Sequence, residues 1–319
     1  RILLSLLLIP LIFYINPASG VRASGAVQNN PDTTRAQTIL EKMTPEERVG
    51  QLFLVSFPGS RVDEKSNIQD LITRYHVGGV VLRAANDNFV AAPDTISTAY
   101  QLIAQLQNVA KQASIIPPVS TEISEIPSEP VPTAVPANYI PLFIGVSQDG
   151  DGYPNDQILN GLTPLPALMA LGAAWDPALA EQVGRVAGRE LSAIGFNLYL
   201  GPSLDVLEAP ETTLLNGSDA NVFGGDPYWV GVMGSAYIAG LHTGSDERML
   251  VIVDHFPGRG SADRPVGEEA ATVRKSLEQL KQIELAPFFA VTGNAQTSQS
   301  TVDGLLVSHI RYQGFQGNI

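Results

Sequence analysis

Val251-Ile-Val-Asp-His-Phe-Pro-Gly-Arg-Gly260 is the stretch that decides how this chain folds. A run of β-branched apolar residues suits a strand covered on both faces, as in a parallel sheet. The run stops at Asp254 and His255, and Pro257-Gly258 then turns the backbone. A buried parallel strand that hands polar side chains to its carboxyl end is where α/β barrels carry their chemistry.

Outward from this strand, apolar runs at 52–57, 77–82, 142–146, 197–200, 249–253 and 304–308 alternate with helical patterns. The clearest helical patterns lie at 95–113, 177–194, 228–241 and 276–290. Such alternation predicts an α/β fold with a parallel sheet. A TIM-type (β/α)8 barrel takes about 250 residues and eight strand–helix units. About six of the eight units are legible before the sequence closes at Gly314-Phe-Gln-Gly-Asn-Ile319. The barrel domain is read as 43–319. Thr44 is a good N-cap, Pro45 suits the first helical position and Glu47 completes a capping box. Residues 114–141, with prolines at 117, 118, 127, 130, 132 and 136, predict an extended surface insertion. A proline-rich ligand for a partner domain is the other reading of that segment.

The chain of 319 residues has ample material for a core. Its net charge of −13 argues against nucleic acid, because phosphate binding needs clustered Lys and Arg. The absence of cysteine is compatible with export without disulfides. Residues 1–26 place Arg1 before an apolar run over 2–15, interrupted by Pro10 and followed by small residues. The run is shorter than the roughly 20 residues that span a bilayer, so a signal peptide or an N-terminal anchor is expected. That segment predicts an extracytoplasmic protein, secreted or anchored, with no other membrane contact. Residues 27–42 are read as a linker, and about 21 to 35 have the composition of a disordered spacer.

Six further segments carry a family resemblance when taken in order. They are Pro141-Leu-Phe-Ile-Gly-Val-Ser-Gln-Asp-Gly150, Leu162-Thr-Pro-Leu-Pro-Ala-Leu-Met-Ala-Leu171, Glu190-Leu-Ser-Ala-Ile-Gly-Phe-Asn197, Gly201-Pro-Ser-Leu-Asp-Val206, Asn221-Val-Phe-Gly-Gly-Asp-Pro227 and Gly304-Leu-Leu-Val-Ser-His309. With the 251–260 strand they resemble the N-terminal domain of glycoside hydrolase family 3, most of all its β-N-acetylhexosaminidase branch. That branch has Lys-His-Phe-Pro-Gly-His-Gly where this chain has Asp254-His-Phe-Pro-Gly-Arg-Gly260.

The resemblance implies a retaining hydrolase of O-glycosyl bonds, without cofactor, acting on β-linked saccharides. Retention in the two-carboxylate design sets the pair about 5 Å apart. The family's nucleophilic Asp closes a seventh strand, so the resemblance puts the nucleophile outside this chain. Gly267 stands where the branch carries its acid/base His, and Pro265 where it carries the partner Asp. Asp263 and Glu268, with Glu269 beside them, are the replacement acid/base candidates in that loop. A carboxyl acid there needs its pKa raised by burial; solvated loop carboxylates are the plainer reading. At the sugar-binding positions Ser147 replaces Asp, Asn155 and Asn221 replace two Arg, Asp254 replaces Lys, and His255 is kept. The replacements stay polar but shift the charge from mixed to acidic, which favours neutral or cationic sugars over acidic ones.

Asp205 and His309 are further substrate-binding candidates at strand ends. Like His255, each has a structural reading beside the ligand-binding one. Asp303 stands at the amino end of its strand and reads as a solvated or turn residue. Asp149-Gly-Asp-Gly-Tyr153 lacks the remaining ligands of an EF-hand and reads as a turn. His76 and His242 have no polar cluster around them in sequence, and no metal-ligand spacing is present. The rival to an enzyme is a catalytically degenerate saccharide-binding or scaffold domain.

Overall fold

The computed structural model describes residues 31–63, 66–114, 139–207, 221–263 and 271–315. The signal or anchor segment 1–26, most of the proline-rich insertion, and Glu268 with its loop neighbours at 264–270 lie outside the described residues. The chain divides into two units, Arg1–Met43 and Thr44–Ile319. In the first, the part of the expected 27–42 linker that is described is helical, as α1 (Pro31–Lys42). Ala36, Gln37, Leu40, Glu41 and Lys42 are strong helix formers and override the polar character of the segment.

The second unit opens with α2 (Pro45–Gly50), whose capping box is complete: the Thr44 hydroxyl accepts from Glu47 N at 3.2 Å, and Glu47 Oε2 accepts from Thr44 N at 2.8 Å. All six expected strands then form, as β1 (Leu54–Val55), β2 (Gly79–Val81), β3 (Phe143–Val146), β4 (Leu198–Ser203), β5 (Leu250–Phe256) and β7 (Gly304–Val307). They pair in parallel in the order β1-β2-β3-β4-β5-β7. Helices α3 (Asn67–Thr73), α4 (Thr95–Ala113), α5 (Leu168–Ala174), α6 (Pro177–Ile194) and α7 (Pro227–Gly244) fill the crossovers between them.

The core lies between this sheet and its helices. Val80, Ile144, Val146, Tyr199, Val251 and Val253 are all buried on the helix side. Strand side chains alternate with a period of two, so Leu54, Phe143, Leu250 and Leu306 face the other way and stay partly exposed. The α6 and α7 backbones nearly touch: a Cβ on Gly184 would lie 2.2 Å from the Tyr237 carbonyl oxygen, and one on Gly188 2.3 Å from that of Leu241. Only glycine permits that approach, which seats α7 against β4 and β5.

Two elements depart from the expected pattern. The helix expected over 276–290 is broken into α8 (Leu277–Gln282) and α9 (Ala286–Val291). Pro287 has no N–H for the Ile283 carbonyl, and its ring crowds that oxygen, so one helix cannot continue. A second, two-stranded parallel sheet joins β6 (Thr272–Val273) to β8 (Arg311–Tyr312). It packs on Leu280 and Leu285. Strands of two residues are too short for a period-two pattern to reveal them.

Candidate functional site

At the carboxyl ends of β2, β3 and β5 lies a cavity of about 290 Å³. Of the residues the sequence points to, the fold brings Ser147, Asn155, Asn221 and Asp254 together in its lining. Arg83, Asp149 and Tyr153 line it as well. The register between β4 and β5 shifts between Leu200 and Ser203, which brings Ser203 abreast of Asp254. Such irregularities next to a site re-aim side chains.

Asp149 forms a buried wall of the cavity, with a relative exposure of 4%. The Tyr199 hydroxyl lies 2.7 Å from its Oδ1 and 2.7 Å from the Gln148 carbonyl. Gly201, at φ +136°, lets β4 pass so near that a Cβ there would sit 2.7 Å from Asp149 Oδ1. Burial, and then the charge of Asp254, push the Asp149 carboxyl up to about 7. The turn expected over 149–153 is present, tied by Asp156, whose carboxylate accepts from Gly150 N at 2.7 Å and Gly152 N at 2.9 Å. The sequence reading missed Asp149 as a lining residue. The signal was its two-residue spacing from Ser147, which puts both side chains on the same side of an extended chain.

His255 is held between two carboxylates. Its Nδ1 donates to Asp205 Oδ2 at 2.9 Å, and its Nε2 lies 3.2 Å from Asp254 Oδ2. Burial pulls the imidazole pKa down, but the Asp205 hydrogen bond and the charges of Asp254 and Asp205 outweigh it and raise the value. Asp205 is 2% exposed and acts as a hub. It also accepts from Arg259 N at 2.7 Å and Arg259 Nε at 3.0 Å. Burial raises its pKa, yet the hydrogen bond and charge of His255 and then Arg259 bring it below the ordinary value. The Asp254 carboxyl is raised, chiefly by burial, and its Oδ1 is closed off with no hydrogen-bond partner.

Four of the expected site residues lie outside the lining of this cavity. His255 does not itself line the cavity; it stands behind Asp254 and holds it. Asp205 holds His255 and Arg259 in turn and is not part of the lining. His309 follows β7 as an exposed side chain away from the lining. Asp263 is committed elsewhere: Oδ1 accepts from Thr272 N at 2.8 Å and Oδ2 pairs with Arg274 at 3.1 Å, which fastens β6. Its carboxylate therefore serves a turn, away from the cavity.

Two buried charge groups that the sequence left without partners lie outside the cavity. His242 bonds through Nδ1 to the Gln299 carbonyl at 2.7 Å and through Nε2 to Asp303 Oδ2 at 3.0 Å. That same Asp303 oxygen accepts from Val251 N at 2.8 Å, so Asp303 locks the start of β5. Below the Phe256–Gly260 turn, fully buried Glu284 accepts from Lys275 at 2.8 Å and from Ser261 at 2.6 Å, both on Oε1. Each contact joins residues distant in sequence, so local pattern carries no trace of it.

The chain is 24% identical over 278 residues to the β-hexosaminidase LpqI of Mycobacterium bovis, covering 86% of this chain and 57% of that protein. It is 29% identical over 174 residues to a β-hexosaminidase of Pseudomonas aeruginosa, covering 54% and 47%. The chain thus spans about half the length of the curated relatives it matches. Among solved structures, a glycoside hydrolase family 3 β-N-acetylglucosaminidase from Paenibacillus superposes with a TM-score of 0.68 at 27% identity, over 85% of this chain and 43% of that one. The description "Glycosyl hydrolase family 3 N terminal domain" matches residues 44–318, and the chain belongs to that family.

Proposed function

We propose that this chain forms the sugar-binding barrel of a hydrolase of O-glycosyl bonds that acts on β-linked saccharides. The observation that carries the reading is the cavity at the strand ends, where Ser147, Asn155, Asn221, Asp149 and Asp254 converge. Pyranose hydroxyls are donors and acceptors at once, and a pocket of amides, a hydroxyl and carboxylates matches both roles. Asp254 is the group best placed to orient a sugar, because His255 and Asp205 fix it from behind. The names of the relatives, β-hexosaminidase and β-N-acetylglucosaminidase, support the same reaction class.

The test is hydrolysis of aryl β-N-acetylglucosaminide and aryl β-glucoside by the full-length protein. Release of the phenol is expected from at least one, and Asp254→Asn is expected to raise KM. Saturable sugar binding without turnover would replace the enzyme by a saccharide-binding domain.

Export is proposed with it, supported by Arg1 and the apolar run over 2–15. Fractionation of the producing cells checks this, and a protein confined to the cytosol refutes it.

A further inference from the structure

We propose that Trp175, Tyr228 and Trp229 form a second saccharide site outside the cavity, a platform on which the rings of a β-linked oligosaccharide stack. The site is separate from the cavity and rests on the sugar-site reading for its class of ligand. The three rings make one patch. Trp175 and Trp229 meet edge to face with centroids 4.7 Å apart, and Tyr228 meets Trp229 at 5.8 Å. Both tryptophans of the chain are here. Tyr228 is 71% exposed and Trp175 56%. Single exposed apolar side chains are ordinary, but contiguous exposed rings mark a binding surface. Trp175 also stands at the left-handed cap of α5, with φ at +52°. Such a cap ordinarily takes Gly or Asn, so the large ring is held there against its backbone preference.

Topology sets the patch at the cavity's end of the sheet. Helix α6 leads into β4 and α7 into β5, so the first turns of both helices lie where the parallel strands finish. Trp175 immediately precedes the cap of α6, and Tyr228 and Trp229 belong to the first turn of α7. Asn221, in the cavity lining, is seven residues before Tyr228. Their Cα atoms are therefore at most about 25 Å apart, a span that one oligosaccharide covers.

The chemistry of the patch selects its occupant. Exposed Asp176 and Asp226 flank the rings and, among the described residues, cap α6 and α7 through Oδ1 alone. Each Oδ2 is left to accept a hydroxyl. A β-linked glucose or N-acetylglucosamine ring holds its substituents equatorially. It offers axial C–H groups to the negative face of an aromatic ring, and hydroxyl donors to acceptors at the edge. A cation held by aromatic faces needs rings around an open space. Here the two indoles fill the space between them and present only outward faces. An apolar protein surface would bury the two carboxylates without partners, which is costly.

The test titrates the protein with cellohexaose, chitohexaose, glucose and N-acetylglucosamine, following heat and tryptophan emission. A hexasaccharide is expected to change the emission saturably, and the two monosaccharides are not. Trp175→Ala and Tyr228→Ala are each expected to weaken hexasaccharide binding about tenfold, while Trp175→Tyr, which keeps a ring, stays within about threefold of the parent. Tyr228 lies on the surface, so Tyr228→Ala decides the matter if Trp175→Ala does not fold. Hexasaccharide affinity unchanged by the alanine variants, or emission that answers to tetramethylammonium and to neither hexasaccharide, overturns the platform and leaves the cavity reading standing. So does a dimer that Tyr228→Ala dissociates, because a second copy then covers the patch. Binding of none of the four sugars overturns the sugar site as well.

Discussion

Replacing Asp205 by Asn probes the hub on which the cavity wall depends. The carboxylate accepts four hydrogen bonds: one from His255 Nδ1 at 2.9 Å, two from Arg259 at 2.7 and 3.0 Å, and one from the Ser203 hydroxyl at 3.2 Å. The amide keeps the shape and one acceptor oxygen but turns an NH2 group toward donors and removes the charge. Hydrogen bonds to charged groups contribute about 1.5–3 kcal/mol each, and breaking a buried ion pair from one side costs about 3–5 kcal/mol. With two charge-assisted contacts weakened, the expected loss is about 4 kcal/mol. At roughly 2–4 °C per kcal/mol for a domain of this size, the melting temperature should fall by about 8–16 °C. The hydrogen bond to Asp205 leads the influences that raise the His255 pKa, so the imidazole should titrate at lower pH in the variant. Calorimetry gives the first quantity, and the His255 Cε1–H resonance followed against pH gives the second. Arg259→Met should lose part of the same stability, and the double variant less than the sum, since the pair is coupled. A fall of under about 3 °C with His255 unmoved would refute the hub.

Other consequences follow from the buried charges. Asp149 has a folded value of about 7 against an ordinary 3.8, so its unfolded form ionises first as pH rises. Stability is then greatest below the ordinary value and is lost as pH climbs toward 7, by roughly 4 kcal/mol; Asp149→Asn should remove that slope in denaturant titrations between about pH 4 and 7. Lys275→Met leaves Glu284 buried without its cation and should cost about 3–5 kcal/mol, read as a lower denaturant midpoint; an unchanged midpoint would count against the pair. The His242 pKa is raised by its Asp303 and Gln299 contacts against the opposing effect of burial. Its contribution is therefore complete below the ordinary histidine value and lost as pH rises through the raised one, and His242→Gln should lack that loss. Asp263→Asn should leave KM and kcat of the full-length protein unchanged, because both oxygens serve β6; a large fall in kcat would restore Asp263 as an acid/base group.

The sheet was open to sequence reading because a parallel strand is buried on both sides and needs an uninterrupted apolar run. The six runs read that way correspond to the six strands of the parallel sheet. The capping box at Thr44 and the bounds of α4 and α6 were equally legible, because caps and helical periodicity are local. Within the site, Ser147, Asn155, Asn221 and Asp254 could be named from motif positions. Their convergence on one cavity, and the place of Asp149 among them, came from the fold.

What the sequence determined by itself was the class of fold, the family and the strand ends that carry polar groups. The tertiary structure alone decided which polar groups are spent on one another. Asp205, Asp263 and Asp303 look alike in sequence as strand-end or loop carboxylates. The fold turns them into a hub for His255, a fastener for β6 and a lock on β5. The reason is physical: the state of a carboxylate depends on donors within about 3 Å, and here the donors that set these roles, Thr272 for Asp263, His255 for Asp205 and His242 for Asp303, lie 9, 50 and 61 positions away.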